Sequence, residues 1–188
     1  MTCVVGLEVP GGVWIGADSF LGTDQIRYKY DRPKWFRKGP LVFAWAGDAR
    51  GAQLVEHALT LPAERTRRRS AGDPVGYLVT VAGRIRQVFR EAGANLRVPG
   101  SQDTTGTEFL VCYGGRLYLL QQDYSIIRGA SGCAAIGAGE AFALAALRVA
   151  REHVPPRDAV ARALKEAAEL CPSVCEPFYV ELFHQSQS

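Results

Sequence analysis

The sequence has no long apolar run and no marked excess of one charge, and these two absences exclude several classes of protein. No stretch approaches the roughly 18 consecutive apolar residues from which a membrane-spanning helix is built. The 22 basic and 19 acidic residues leave a net charge of +3. Basic and acidic residues that are so nearly equal in number argue against nucleic acid or a membrane surface as the main partner.

Potential metal ligands are also sparse. The three histidines share no ligand spacing, and no second pair completes a zinc site with Cys171 and Cys175. Gly137 and Gly139 precede an expected helix, as in a phosphate cradle, but the rest of either nucleotide-binding fingerprint is missing. We therefore expect neither a metal nor another cofactor.

The cysteines and the first residues indicate the compartment. Five cysteines are an odd number, and their hydrophobic or loop settings favour buried thiols in a reducing environment. The first six residues lack the basic start and apolar centre of a secretion signal. We expect a cytoplasmic protein whose mature chain begins where the sequence begins, apart from Met1.

The order of expected strands and helices predicts an α+β fold. Short β-branched runs on either side of a Pro-Gly-Gly turn predict a hairpin, and apolar residues at every third or fourth position predict a long helix from Asp73 and Pro74 to Gly93. We expect strands at residues 2–9, 13–18, 34–36, 41–46, 107–113, 116–121, 133–136 and 178–183, and further helices at residues 53–61, 140–152 and 157–170.

This block-wise order favours mostly antiparallel sheets with helices on their outer faces. Two helix pairs and at least six strands suit two sheets stacked between two helix layers. The sequence therefore predicts one domain over residues 1–188 with a four-layer αββα sandwich.

Three residues near the start of the chain suggest hydrolytic chemistry. Aminopeptidases that remove an initiator Met act when the next residue is small, so removal of Met1 would give Thr2 an unblocked α-amine. A Thr hydroxyl needs a base beside it, and an α-amine with a reference pKa of about 7.7–8.0 is partly unprotonated near neutral pH. A cation such as Lys34 would favour the deprotonated nucleophile, and a carboxylate such as Asp18 would orient that cation.

These residues resemble the proteasome β subunits and the bacterial HslV peptidase, a family of N-terminal-nucleophile hydrolases. Thr2, Asp18 and Lys34 lie sixteen residues apart in succession, as the Thr, Asp and Lys of that family do. The resemblance is strongest in the segments 2–6, 16–18, 34–36, 44–48 and 135–146, and it extends thinly to 167–171. It implies a four-layer αββα fold, threonine-type peptide hydrolysis and assembly into rings.

The resemblance also assigns supporting roles, and here the sequence departs from the family. Ala44 aligns with the family's glycine whose backbone N–H stabilises the oxyanion, a role that a backbone donor at alanine can keep, and we expect the region of Ala44 and Gly47 to stabilise the oxyanion. Ala138 stands where the family has a serine that supports the terminal amine. Ser173 and Glu176 have the right interval for a second supporting pair, although Pro172 interrupts the pattern.

The spacing distinguishes between two nucleophiles. The alternative is Cys3, because other members of the superfamily use a cysteine as their N-terminal nucleophile. A shift of one residue would break both sixteen-residue intervals, and it would turn the nucleophile to the opposite face of the strand. Thr2 is therefore the expected nucleophile.

Two functions of different class remain open within this family. In the first, the chain is a threonine-type endopeptidase or amide hydrolase, and its substrate is a peptide or an unfolded protein. A less favoured form of this function is the hydrolysis of small-molecule amides on the same fold. In the second, it is a non-catalytic ring or scaffold subunit, as Ala138 and the unmatched acidic support would suggest. We expect self-assembly into rings, and any ATPase unfoldase that feeds the site must be a separate chain.

Overall fold

The computed structural model of the chain describes residues 2–22, 26–62, 74–95 and 103–185. The strands are β1 (Val4–Val9), β2 (Gly12–Ala17), β3 (Phe20–Gly22), β4 (Arg27–Lys29), β5 (Trp35–Lys38), β6 (Leu41–Gly47), β7 (Thr107–Tyr113), β8 (Arg116–Leu120), β9 (Ile126–Ile127), β10 (Cys133–Ile136) and β11 (Tyr179–His184). The helices are α1 (Ala49–Ala58), α2 (Pro74–Glu91), α3 (Glu140–Ala150) and α4 (Pro156–Leu170).

A four-stranded antiparallel sheet in the order β10-β1-β2-β11 contains the start of the chain. The register pairs Val4 of β1 with Ala17 of β2 on one side and with Ile136 of β10 on the other. The beginning of β1, the end of β2 and the end of β10 therefore share one edge of this sheet.

A five-stranded antiparallel sheet has the order β5-β6-β7-β8-β9. Trp35 at the start of β5 pairs with Ala44, and Ala46 near the end of β6 pairs with Glu108 near the start of β7. These three strand ends also share one edge.

The two sheets pack face to face, with a pair of helices on each outer face. α3 and α4 cover the four-stranded sheet, and α1 and α2 cover the five-stranded sheet. A third apolar cluster fills the space between the sheets and includes Val4, Ile15, Val42, Ala44, Leu110 and Ile136. The predicted αββα sandwich is confirmed.

Alternation along β6 shows why this sequence suits a central layer. Leu41, Phe43 and Trp45 pack against the helix side, whereas their neighbours Val42 and Ala44 face the other sheet. A strand that is buried on both faces needs apolar residues at every position. Complete burial of one large side chain such as Phe43 contributes about 1.5–3 kcal/mol.

Local signals set the helix ends. Asp48 caps α1, because its side chain accepts the N–H of Arg50, and this starts the helix earlier than residue 53, where the sequence predicted it. α2 begins at Pro74 and is followed by Gly93 with φ +63°, the left-handed conformation of a helix stop. The cap predicted at Asp73 lies outside the described residues.

Most of the predicted strands are found within one or two residues of their expected bounds. Strands β3, β4 and β9 were not predicted, since each has two or three residues and no clear alternation. All five cysteines are buried and carry no disulfide, as expected. Over the ranges described above, no helix is both long enough and apolar enough to cross a bilayer.

Candidate active site

Thr2 lies two residues before the start of β1, at the shared edge of the first sheet, and it is only 2% exposed. Side chains alternate along the strand: Val4 faces the second sheet, whereas Cys3 and Val5 face the helices α3 and α4. This alternation places Thr2 between the two sheets and Cys3 in the helix-facing core. The two candidate nucleophiles are thus on opposite faces, as the sequence predicted.

Asp18 follows β2 directly, so the β1–β2 register brings it beside the first residues of the chain. Its backbone N–H donates to the carbonyl oxygen of Cys3 at 3.1 Å. Its carboxylate is fully buried and accepts three backbone N–H groups, from Cys3 at 3.0 Å, Phe20 at 2.8 Å and Cys175 at 3.2 Å. These donors stabilise the carboxylate away from water.

Lys34 precedes β5 on the second sheet and is also fully buried. Its Nζ donates to Oδ1 of Asp18 at 2.7 Å and to Oγ1 of Thr2 at 3.0 Å. Its carbonyl oxygen accepts the N–H of Trp45 at 3.0 Å, which extends the β5–β6 ladder by one pair and fixes the backbone of Lys34. The structure therefore brings Thr2, Asp18 and Lys34 together.

Burial controls the acid–base properties of these groups. It lowers the pKa of Lys34, and the adjacent Asp18 carboxylate opposes that change. Burial also raises the pKa of Cys3 to about 12, and the charge of Asp18 adds to the increase. The Cys3 thiol therefore stays protonated at neutral pH and is a poor nucleophile.

A tight turn after β10 forms another wall around Thr2. A Cβ atom at Gly137, where φ is +90°, would overlap the carbonyl oxygen of Thr2, so only glycine fits. The N–H of Gly139 donates to the same oxygen at 3.4 Å. On the other side of the turn, the N–H of Gly137 donates to Oε1 of Glu108 at 3.0 Å.

Glu108 was missed in the sequence analysis, although a signal was present. It is the only charged residue in the apolar strand β7. A carboxylate in such a strand usually has a specific partner, and here the partner is the glycine turn beside Thr2.

The ladder of the second sheet determines which backbone N–H can face the site. Successive residues of a strand direct their N–H groups to opposite neighbours. Since the N–H of Trp45 points to β5, the N–H of Ala44 points to β7, where Ala44 pairs with Leu110. The donor predicted at Ala44 is therefore directed away from Lys34 and Thr2.

Gly47 directs its N–H to the same side as Trp45, beyond the end of β5. Gly47 is solvent-exposed at the end of β6, and its N–H has no backbone partner within the described part of the chain. The neighbouring Ala46 lies against the Gly137 turn that contacts Thr2. This leaves Gly47 as the better-placed backbone donor.

The remaining predicted residues surround the site less directly. Ala138 is exposed between the two glycines of the turn, and Ser173 is half-buried in the turn that follows α4. That turn reaches the site through Cys175, whose N–H contacts Asp18 and whose carbonyl oxygen accepts the backbone N–H of Ser19 at 3.1 Å. Ser19, fully buried, was not singled out from the sequence.

The described residues contain no group of three or more carboxylate, imidazole or thiol side chains that could hold a metal ion. The polar groups that converge at this edge are instead a hydroxyl, an ammonium and a carboxylate in hydrogen-bond contact. Such a set can activate a hydroxyl for attack on a carbonyl carbon without a cofactor.

Comparison with known proteins identifies the fold. No family model matches the sequence, and no curated protein matches it. Among solved structures, BPH of Thiobacillus denitrificans in complex with epoxomicin matches with a TM-score of 0.80 and 15% identity, over 98% of this chain and 100% of that chain. Eukaryotic HslV from Trypanosoma brucei matches with a TM-score of 0.72 and 19% identity, over 97% of this chain and 99% of that chain.

A third match extends the same likeness. Anbu (ancestral beta-subunit) from Yersinia bercovieri gives a TM-score of 0.66 at 15% identity, over 97% of this chain and 81% of that chain. At these identities the likeness establishes the fold that the resemblance predicted.

Proposed function

We propose that this chain, which has the fold of HslV and related proteasome-like proteins, is a threonine-type peptide or amide hydrolase whose nucleophile is Thr2. The observation that carries the proposal is the buried ammonium of Lys34, which makes hydrogen bonds to both Thr2 and Asp18. Nζ of Lys34 lies 3.0 Å from Oγ1 of Thr2 and 2.7 Å from Oδ1 of Asp18. Such an arrangement favours the deprotonated hydroxyl, because a cation next to an oxygen stabilises its anionic form.

Removal of Met1 would complete the site. With Met1 cleaved, the α-amine of Thr2 becomes a titratable base two bonds from the side-chain carbon that carries Oγ1. Its reference pKa of about 7.7–8.0 lies close to neutral, where a general base works best. We therefore infer that the active form begins at Thr2.

The first half-reaction transfers the acyl group to Thr2. The α-amine takes the proton of Oγ1, and the oxygen forms a bond to the carbonyl carbon of the substrate while the C=O electron pair moves to its oxygen. The N–H of Gly47, rather than that of Ala44, stabilises this oxyanion. The protonated α-amine then gives its proton to the departing nitrogen, the C–N bond breaks, and an ester on Thr2 remains.

The second half-reaction uses water in the same way. The α-amine takes a proton from a water molecule, the hydroxide attacks the ester carbon, and collapse of the intermediate returns the proton to Oγ1. Lys34 stays charged throughout and stabilises each state in which Oγ1 carries negative charge. Asp18 holds Lys34 in position, and Ser173 stays a proposed support for the amine because its turn contacts Asp18 through Cys175.

The proposed substrate and assembly are supported by the same fold and site. We propose a peptide or an unfolded protein as substrate and self-assembly of the chain into rings, and any ATPase unfoldase that delivers substrate is a separate chain. Sedimentation of the purified chain tests the assembly, since a monomer at working concentration contradicts it.

A second candidate function is a non-catalytic ring or scaffold subunit. The observation that favours it is Ala138, which is exposed in the turn beside Thr2 and has no hydroxyl to support the amine. Retained Met1 would block the α-amine of Thr2 and support this function, whereas loss of Met1 is compatible with both functions, because its removal depends on the small size of Thr2. Intact mass combined with labelling of Thr2 separates the two functions.

The decisive experiment is intact mass before and after treatment with a β-lactone. Attack by a hydroxyl opens the lactone ring at its acyl–oxygen bond, so the whole reagent mass is added to the nucleophile as an ester. We expect one added mass on a chain without Met1, none on Thr2→Ala, and normal labelling of the control Thr80→Ala, whose hydroxyl is exposed on α2. Labelling that survives Thr2→Ala excludes Thr2, and full retention of Met1 favours the scaffold.

A further inference from the structure

A cleft of about 530 Å³ lies at the opposite end of β1 from Thr2. Glu8 and Val9, the last residues of β1, contribute to its lining. Glu8 lies six residue steps of extended chain beyond Thr2, which corresponds to roughly 20 Å. The cleft is thus a separate feature from the candidate active site.

Two arginines from different segments converge in this cleft. Nη1 of Arg116, at the start of β8, lies 3.0 Å from Oε2 of Glu8, and Nη2 of Arg128, after β9, lies 3.4 Å from the same oxygen. Oε1 of Glu8 accepts the N–H of Leu117 at 2.8 Å, so the carboxylate is fixed in place. One carboxylate offsets only one of the two positive charges.

The arginines retain most of their hydrogen-bonding capacity. A guanidinium has five N–H groups, and each arginine directs one nitrogen to Glu8. The side chains of Arg116 and Arg128 are 58% and 39% exposed. Their remaining donors are therefore accessible to a ligand.

The loop after Arg128 adds backbone donors on the same side. Ala130, Ser131 and Gly132 line the cleft, and the N–H groups of Ala130 and Ser131 donate to no residue that the structure describes. Nη1 of Arg151 donates to the carbonyl oxygen of Ser131 at 2.7 Å, which fixes this loop and brings another positive charge to it. Successive backbone N–H groups in a turn form an anion-binding concavity.

We propose that this cleft binds the phosphate group of a small molecule. Arg116 and Arg128 hold the phosphate oxygens, and the N–H groups of Ala130 and Ser131 bind the oxygen that faces the loop. A phosphate has enough oxygens for both guanidiniums and the loop together, whereas a carboxylate has only two. The cleft is larger than a phosphate ion, so it has room for the organic part of a phosphomonoester.

Calorimetry of the Thr2→Ala chain tests this proposal independently of any hydrolytic activity. Inorganic phosphate, glycerol phosphate and acetate are each titrated at constant ionic strength. We expect saturable binding of phosphate and of glycerol phosphate, and markedly weaker binding of acetate. No saturable heat with either phosphate compound, or equal binding of acetate, overturns the proposal.

Charge variants test the assignment of the residues. Arg116→Gln and Arg128→Gln should each weaken phosphate binding about tenfold or more, because each removes hydrogen bonds between charged groups. Arg162→Gln, which removes an exposed arginine paired with Glu166 on α4, is the matched control and should leave affinity unchanged. Equal weakening in all three variants would mean unspecific attraction and would overturn the proposal.

A fourth variant shifts affinity in the opposite direction. Glu8→Gln keeps an oxygen acceptor for the N–H of Leu117 but removes the negative charge that competes with the ligand. Phosphate should bind more tightly to this variant, and a phosphate-induced rise in its melting temperature should exceed that of the parent chain. An unchanged or weaker affinity contradicts the assignment of Arg116 and Arg128 as the phosphate ligands.

Discussion

Glu108 and Gly137 are joined across the two sheets by a hydrogen bond of 3.0 Å from the backbone N–H of the glycine to the carboxylate. Glu108 belongs to the five-stranded sheet, whereas Gly137 follows β10 of the four-stranded sheet. Gly137 contacts the carbonyl oxygen of Thr2. One carboxylate thus fixes the glycine turn, and through it the backbone of Thr2, relative to the sheet that carries Lys34.

Replacement of Glu108 by alanine should reduce the reactivity of Thr2. The variant leaves the N–H of Gly137 without its charged acceptor, which costs about 1.5–3 kcal/mol of unfolding free energy. We expect slower labelling of Thr2 by a β-lactone and a lower urea midpoint. Glu108→Gln retains an oxygen acceptor and should restore most of the labelling rate, so equal losses in both variants would exclude this positioning role.

Lys34→Ala should destabilise the fold as well as abolish hydrolysis. The variant leaves the buried carboxylate of Asp18 without its cation, and loss of one partner of a buried ion pair typically costs about 3–5 kcal/mol. Urea unfolding measures this loss. The double variant Lys34→Ala/Asp18→Asn should be destabilised by less than the sum of the two single changes, since it buries no uncompensated charge. Strict additivity would mean that the pair is not coupled.

The sequence was sufficient for the layers, because these follow from local patterns, and the resemblance to a known family was sufficient to group Thr2, Asp18 and Lys34. Alternation and helical periodicity identify the strands and helices, and the residues that follow β2 and precede β5 are read directly from the ends of those patterns. Thr2, Asp18 and Lys34 could be grouped because they share the sixteen-residue spacing of the family that the chain resembles, and the structure brings them together at neighbouring strand ends.

Contacts between distant segments were beyond sequence reasoning. Cys175 lies 157 residues from Asp18, and nothing local in the turn after α4 indicates that its N–H meets that carboxylate. The choice between Ala44 and Gly47 depends on which neighbour each N–H faces, and that depends on the register of β6 with β5 and β7. The strands β3 and β4 are too short and too exposed for a periodic signal.

Gly137→Ala should impair Thr2 more than it impairs folding. An alanine at this position would be strained in the left-handed conformation with φ +90°, and its methyl group would overlap the carbonyl oxygen of Thr2. We expect the β-lactone labelling of Thr2 to be lost. Gly93→Ala is the matched control, because its φ of +63° brings similar strain but its Cβ would meet nothing within 4 Å. The control should lose stability by about 1 kcal/mol and keep its labelling, and a loss of labelling in both would assign the effect to strain alone.

Cys3 should resist alkylation in the folded protein. Burial raises its pKa to about 12, so almost no thiolate is present at neutral pH, and the residue is 0% exposed. Peptide mass spectrometry after iodoacetamide treatment should find Cys3 unmodified in the native state and modified in denaturant. Cys3→Ala should keep the hydrolytic activity that Thr2→Ala abolishes. Rapid native alkylation would contradict the burial of Cys3, and activity that is lost in Cys3→Ala but kept in Thr2→Ala would make Cys3 the nucleophile.

The rate of hydrolysis should rise and then fall with pH. On the acid side the α-amine of Thr2 must lose a proton before it can act as the base, so the rate should increase up to about pH 8. On the alkaline side Lys34 must stay charged to stabilise the deprotonated hydroxyl. Because burial lowers the pKa of Lys34, the rate should begin to fall below the ordinary lysine value of about 10.4.

The pH profile of kcat/KM measures both limits, and urea unfolding at each pH shows whether the protein stays folded. The β-lactone labelling rate of Thr2 should follow the same acid limb, because labelling requires the same deprotonation of Oγ1. A rate that does not change between pH 6 and pH 8 would mean that the base is not an α-amine, and it would contradict the assignment of the Thr2 α-amine as the base.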